Sequence, residues 1–383
     1  MLRRWLQYLL ILFLPLLCGC WNLVDVNDTA ICTAVGVDLT PENNILFSLQ
    51  LAKPAPLPIT GANETQMLAV TIEGQTAGAA ARRMNLLLPR IPLYEHANSL
   101  VIGEKLARKD LAYVIDLAIR NRHVQRNMLV FVSSGSRAAD ILHTPMPLYP
   151  NSGFGLNNTI NLQKDRLLKY QPVNVAQLVR ELSTPGIEPV LPLVESSTLN
   201  GKDTLKLNGG AVFKGRKVVG TLNPYEMMGY QWIRNPRLQG GLLTITVPGS
   251  TDKVSLELLH MQQKSSLHRT SSGDLQVNIQ LTADFDFFEQ KGAEDVLNRP
   301  RVQDLQQAAN EEIKRQITAC ISKAQGMGSD ITGWGALIYT TEPELWAELK
   351  EDWEQLYPGI EYSLQIETRI LSSSLTTKSF PFH

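Results

Sequence analysis

The chain has 383 residues, 44% of them hydrophobic and 19% charged, with a formal net charge of -1 at pH 7. Such a length holds two domains or slightly more, and the composition is that of an ordinary globular protein. The near-neutral balance excludes a nucleic-acid binder that relies on a basic surplus to release counterions.

In chain order, Arg3 and Arg4 precede an apolar run from Trp5 to Leu17, interrupted only by Gln7 and Pro15. A membrane span needs about 20 apolar residues, so this shorter run reads as a signal peptide. It ends in Leu17-Cys18-Gly19-Cys20, which resembles the bacterial lipobox: an apolar residue three before the modified cysteine and a small one directly before it. Cys20 fits that pattern, whereas Cys18 would place bulky Leu17 against the cleaved bond. The expectation is a leader at 1–19, removed on export, with lipid on Cys20 holding the chain at the outer face of a membrane. The other reading is a secreted protein cut by ordinary signal peptidase, which leaves Cys20 as an exposed terminal thiol.

The segment 20–195 alternates short strands with helices and is expected to form the first domain. Ala30 to Val37, Ile45 to Leu51, Met67 to Glu73, Ser99 to Ile102 and Asn127 to Ser133 are apolar runs bounded by turn residues, and predict strands. Thr76 to Leu88, Leu111 to Arg120, Ser136 to Leu142 and Asn174 to Leu182 predict helices, with Ser136 and Asn174 as N-caps. The Pro-rich stretch Lys53 to Pro58 lacks three backbone donors and predicts an extended connection. Thr144 to Asn161, with three prolines and two glycines, predicts a long loop. Cys32 in the first strand and Cys320 on a later helical stripe read as buried small hydrophobes.

A second domain, 196–375, is expected after the Ser, Asn and Gly cluster at 196–201. Leu205 to Phe213 and Lys217 to Thr221 flank Lys214-Gly215-Arg216 as a hairpin, and Pro224 opens a helix to about Trp232. Strands follow near Leu242 to Val247, Lys253 to Met261 and Leu275 to Phe288. A helix from about Val302 to Gln325 carries the stripe Leu305, Ala309, Ile313, Ile317, Cys320, Ala324, which must pack on a sheet. Thr341 and Glu344 are spaced as a capping box, and Trp346, Leu349, Trp353 and Leu356 form one apolar face. The tryptophans read as core anchors. Tyr362, Leu364, Ile366, Thr368 and Ile370 alternate with polar residues as a half-buried strand. Strands and helices in irregular order predict an α+β fold of mixed or antiparallel sheets with packed helices.

No constellation of catalytic residues emerges. H-E-x-x-H, G-x-S-x-G and P-loop patterns are absent, and the six histidines show no i, i+4 pair for a metal. Asp284 and Asp286 share a strand face, but Phe285 and Phe287 account for that alternation by facing the core. Arg82, Arg83, Arg120, Arg122 and Arg126 add local positive charge, compatible with solvated helix faces or an anionic membrane.

Several blocks carry a resemblance that runs from Cys20 to about Leu371. They are Cys20-Trp21-Asn22, Asn27 to Ile31, Gly36-Val37-Asp38, His96 to Glu104, Asn208 to Lys214, Val218 to Leu222, Asp330 to Gly335, and then Trp346 and Trp353. In that order they resemble the C subunits of bacterial spore germinant receptors, the Ger(x)C lipoproteins. Thr332-Gly333-Trp334 departs from the family's usual Phe-Gly with a second hydrophobe, a packing swap. The resemblance implies a role in nutrient-triggered germination, partnership with two integral-membrane subunits, A and B, no known catalysis, no cofactor, and a place on the outer surface of the spore's inner membrane. The competing expectation is a solute-binding lipoprotein that delivers a small ligand to a transporter, which calls for two lobes around a deep cleft. A cell-wall hydrolase would need a paired acid or a metal site.

Overall fold

The computed structural model describes Trp5 and residues 25–53, 67–121, 124–149, 151–164, 166–236, 238–270, 273–292 and 299–373. Cys20, Arg122 and all of the Pro-rich stretch but Lys53 lie outside the described residues.

The first half begins with an antiparallel meander of β1 (Thr29–Leu39), β2 (Ile45–Ala52) and β3 (Met67–Gly74). Helix α1 (Ala77–Arg83) follows, capped by the Thr76 hydroxyl, which accepts from the Ala79 N–H at 3.1 Å. Next come β4 (Ile91–Leu93), β5 (Ser99–Ile102), α2 (Glu104–Lys109), α3 (Ala112–Arg120), β6 (Leu129–Ser133), α4 (Ala138–His143), α5 (Ser152–Lys164), α6 (Val175–Ser183) and β7 (Val190–Leu199). The second half holds β8 (Lys202–Lys214), β9 (Lys217–Leu222), α7 (Pro224–Arg234), β10 (Leu242–Thr246), β11 (Lys253–Arg269), β12 (Leu275–Lys291) and α8 (Arg299–Met327). It ends in α9 (Trp334–Thr341), α10 (Pro343–Leu349), α11 (Trp353–Leu356) and β13 (Glu361–Ser373). This is the expected α+β architecture.

Two sheets organise these elements. The larger has the order β3-β2-β1-β5-β6-β7-β8-β9, with β4 beside the start of β1. Its centre, β1, β5, β6 and β7, is parallel, and the stretches 34–37, 99–102, 129–133 and 190–194 are nearly all apolar, as strands buried on both faces must be. Its flanks are antiparallel. The smaller sheet runs β10-β11-β12-β13, with only the last pair parallel.

One face of the large sheet buries Val35, Val37, Phe47 and Leu49 against Ala80, Leu106, Val114 and Leu178 of α1, α2, α3 and α6. The other face, with Ala34, Val101 and Phe131, meets Ile141 of α4 and Leu156 of α5. That second core continues without a break through Trp232, Phe285, Ile313 and Trp334 of the carboxyl half. At about 1.5 to 3 kcal/mol for each large apolar side chain removed from water, the shared core binds the halves into one body. The change in composition at 195/196 falls inside β7, and β8 and β9 beyond it complete the large sheet. The Ser, Asn and Gly cluster marks the tip of the β7–β8 hairpin, where Asn200 and Gly201 have positive φ, and is not a linker.

Four local expectations change. The loop predicted over 144–161 contains α5, because Gly153 and Gly155 serve close approach and not a turn. A Cβ on Gly153 would lie 2.7 Å from Ala34 Cβ, and one on Gly155 2.6 Å from Met146 Sδ. Ser136 does not cap α4; the helix starts at Ala138, with Arg137 at its cap position and Asp38 accepting from the N–H groups of Ala138 and Ala139 at 2.8 and 3.0 Å. Thr341 does not cap α10. It ends α9, donating its hydroxyl to the Leu337 carbonyl at 2.8 Å. Leu356 leaves the apolar face and is exposed, while Trp346 and Trp353 are buried as expected. Asn174 caps α6 as predicted, accepting from the Gln177 N–H at 2.8 Å. The α8 stripe is wholly buried, between α7 and the second sheet.

Candidate functional site: a carboxylate hub and a polar cavity where the halves meet

Helix α8 ends at Gly328, whose positive φ turns the chain toward Asp330. Gly333, also at positive φ, stands at the cap position of α9 and has no side chain with which to cap it. Asp330 supplies the missing acceptor. Its Oδ1 takes the Thr332 hydroxyl at 2.6 Å and the Gly333 and Trp334 N–H groups at 2.8 and 3.2 Å. Its Oδ2 takes the Gly335 N–H at 2.8 Å and the Trp353 indole N–H at 3.2 Å. Burial pushes the Asp330 carboxyl above the usual carboxylate range, against the pull of these donors.

The same loop is stitched to the segment before β7 and to β8 of the large sheet. Glu188 N–H donates to the Asp330 carbonyl at 2.9 Å, Ala336 N–H to the Gly186 carbonyl at 2.7 Å, and the Ser329 hydroxyl to the Phe213 carbonyl. Gly186 has φ +70, and a Cβ there would sit 2.3 Å from the Gly335 carbonyl carbon, so two glycines let the backbones touch. Trp353 packs edge-on against Trp346 with centroids 5.5 Å apart, and Trp334 lies tilted against Tyr357 at 5.7 Å. Beside the hub, Glu188 accepts from the Gly215 N–H at 2.7 Å. Burial pushes its carboxyl up to about 7.

A cavity of about 200 Å³ opens between α6 and α7, lined by Gln171, Gln177, Arg180, Glu181, Tyr230 and Arg234 among others. Glu181 Oε1 accepts from Gln177 at 3.3 Å and from Arg234 at 3.4 Å. Glu181 Oε2 and Arg234 Nε are buried without a hydrogen-bond partner. Burial pushes the Tyr230 hydroxyl up to about 12, so it stays a neutral donor. The lining can hold a small polar group or water between a carboxylate and a guanidinium; it presents no nucleophile with an adjacent base.

The residues singled out from the sequence are placed apart from this junction. Asp284 is held by Arg369 in a two-point pair at 2.7 and 2.9 Å, and Phe285 beside it is fully buried. Cys32 and Cys320 are buried free thiols, and burial pushes Cys32 up to about 12. Arg82, Arg83, Arg120 and Arg126 are exposed. Among the described residues no three His, Cys, Asp or Glu side chains converge as a metal-holding group, and no helix is long and apolar enough to cross a membrane.

The blocks that carried the resemblance prove to hold the chain together. Gly36 faces Leu142 and Ala138 of α4, where a Cβ would have 3.0 and 3.4 Å of room. A Cβ on Gly103 would meet the Asp38 carboxylate at 2.1 Å. Gly209, at φ +87, lies against the Leu222 carbonyl. Two family models cover these blocks in order, the spore germination protein N-terminal domain over residues 22–196 and the spore germination B3/GerAC-like C-terminal domain over 208–374. The chain belongs to the spore germination protein family. Family members similar to it include spore germination protein KC of Bacillus subtilis (strain 168), 24% identical with 97% of this chain and 96% of that one covered. Putative spore germination protein YfkR of the same strain is 23% identical, with 90% of each covered. The crystal structure of the GerBC protein superposes with a TM-score of 0.59 over 88% of this chain and 96% of that one, at 18% identity, which establishes a shared fold.

Asp330 had no signal in the sequence beyond membership of a matching block, and the Glu181–Arg234 cavity had none. Their partners are set by tertiary contacts, 23 residues away for Trp353 and 53 for Arg234.

Proposed function

We propose that this chain is the lipid-anchored, non-catalytic C subunit of a spore germinant receptor. It is held at the outer surface of the spore's inner membrane by lipid on Cys20 and works through contacts with the integral-membrane A and B subunits in nutrient-triggered germination. The observation that supports this most is the tandem family match, which begins at residue 22, two positions after the lipobox cysteine, and continues in order to 374. The absence of a nucleophile with a neighbouring base at the junction is in keeping with work by contact and not by chemistry.

The solute-binding reading asks for two lobes that close on a cleft. Against it stands the single core that runs through both halves. The deciding experiment is capture of the receptor's membrane subunits from detergent-solubilised spore membranes by the intact lipoprotein. Recovery of both subunits supports the proposal. Recovery of a solute transporter instead, with calorimetric heat from a small ligand on the purified chain, overturns it.

A further inference from the structure

Because β1, β5, β6 and β7 are parallel, all four begin at one edge of the large sheet. The chain enters β1 at that edge through a turn at Val26–Asp28. Helix α1 starts at the far end of β3, where the Arg83 guanidinium still donates to the Glu73 carbonyl at 2.7 Å, and residues 84–91 carry the chain to the edge where β4 starts, with Ile91 paired to Thr29. Ile91 and the residues that lead into it therefore lie beside the entry of the chain. This corner is both apolar and exposed: Val26 is 80% accessible, Leu86 79%, Leu87 54% and Ile91 53%. Exposed Arg82 and Arg90 flank the leucines along the chain, and no acidic residue stands between Gly74 and Tyr94. The acids nearby are Asp25, which caps its own turn, Asp28 and Glu95.

Cys20 precedes Asp25 by five positions, and five extended residues reach at most about 18 Å. A lipid on Cys20 thus holds this corner, and not the opposite edge, next to the bilayer. We propose that the corner is a membrane-seating surface, with Leu86 and Leu87 entering the interfacial layer of an anionic phospholipid bilayer while Arg82 and Arg90 meet lipid phosphates. The pattern is that of an interfacial anchor, apolar side chains at the tip within a basic collar. It would fix the orientation of a body that a flexible tether alone leaves free to tumble. The inference rests on the anchored reading above, and its test separates the two.

An environment-sensitive fluorophore is attached to Leu86→Cys in the processed, lipidated protein; Cys32 and Cys320 are buried and do not compete for label. The protein is placed on vesicles of equal parts phosphatidylcholine and phosphatidylglycerol, some carrying a quencher on the acyl chains. The expected result is a blue shift and lipid quenching at position 86 and neither at Leu199→Cys, an exposed site at the opposite end of β7. Replacing Arg82 and Arg90 together by Gln should abolish the gain of phosphatidylglycerol over pure phosphatidylcholine. A position-86 probe that stays in water on a lipidated protein overturns the seating and leaves the anchor standing. Quenching at position 86 on Cys20→Ala protein supports the seating and shows that it does not need the anchor. A shift without vesicles that grows with protein concentration shows a contact between copies and overturns the proposal.

Discussion

The indole N–H of Trp353 donates to Oδ2 of Asp330 at 3.2 Å, joining the terminal helices to the loop that stitches the two halves. The same carboxylate accepts four other donors, three of them backbone N–H groups of α9's first turn. A buried acceptor shared by five donors is costly to remove, since each donor left unpaired carries its own desolvation penalty.

Asp330→Ala should therefore lower stability by about 3 kcal/mol or more, and Trp353→Ala by about 3 to 5 kcal/mol through lost packing. Trp353→Phe, which keeps most of the ring, should cost less than either. Urea midpoints of the three variants check this. A Trp353→Phe loss equal to that of Trp353→Ala would assign the contribution to the hydrogen bond and not to the indole stack.

Glu188 gives a pH dependence with a definite sign. Burial raises its carboxyl from 4.5 to about 7, against the Gly215 N–H and with help from Asp330 and Glu354. Between those values the folded chain keeps a proton that the unfolded chain has released, so stability falls as pH rises through the window and is level above it. Glu188→Gln should flatten this part of the profile and raise the thermal midpoint above about pH 7 relative to the parent. Equal slopes in parent and variant would mean that Glu188 titrates normally.

The Glu181–Arg234 pair lends itself to a double-mutant cycle. Arg234→Ala leaves a carboxylate buried without its cation and should cost about 3 kcal/mol. Adding Glu181→Ala should restore part of the loss, giving a coupling of about 0.5 to 3 kcal/mol. Additive losses would show that the two side chains stand side by side without depending on each other.

Cys20→Ala should release the chain from spore membranes or leave it unprocessed, and slow germination, because two acyl chains at about 0.8 kcal/mol per buried CH₂ outweigh any contact with headgroups. Cys18→Ala should change neither. Fractionation with mass spectrometry of the amino terminus is the measurement. Cys20→Ala protein that is trimmed, membrane-bound and fully active would place the attachment in partner contacts or in the seating surface.

What the sequence made legible was whatever a single element carries by itself. The α8 stripe from Leu305 to Ala324, the Trp346 and Trp353 face and the Asn174 cap depend only on helical spacing and local geometry, and all are found in place. Glycines misled where they serve a neighbour and not their own backbone, as Gly153 and Gly155 do inside α5. Thr341 misled because α10 follows α9 after a single residue, so a capping pattern fell on the end of the previous helix. The junction was illegible for a plainer reason. Asp330 finds Trp353, and Gly186 finds Gly335, only once the chain has closed over distances that no local pattern encodes.

Strand β7 lies between β6, which precedes it in the chain, and β8, which follows the composition change at 195/196. A chain delivered amino end first, whether by synthesis or by export, therefore holds β7 with one row of hydrogen-bonding groups open until Lys202–Lys214 arrives. Open edges recruit other strands, so this interval is when the chain is most exposed to pairing with its neighbours. A fragment ended at residue 196 would stay in that condition permanently, and the gap between the two family models is for this reason a poor place to cut the gene.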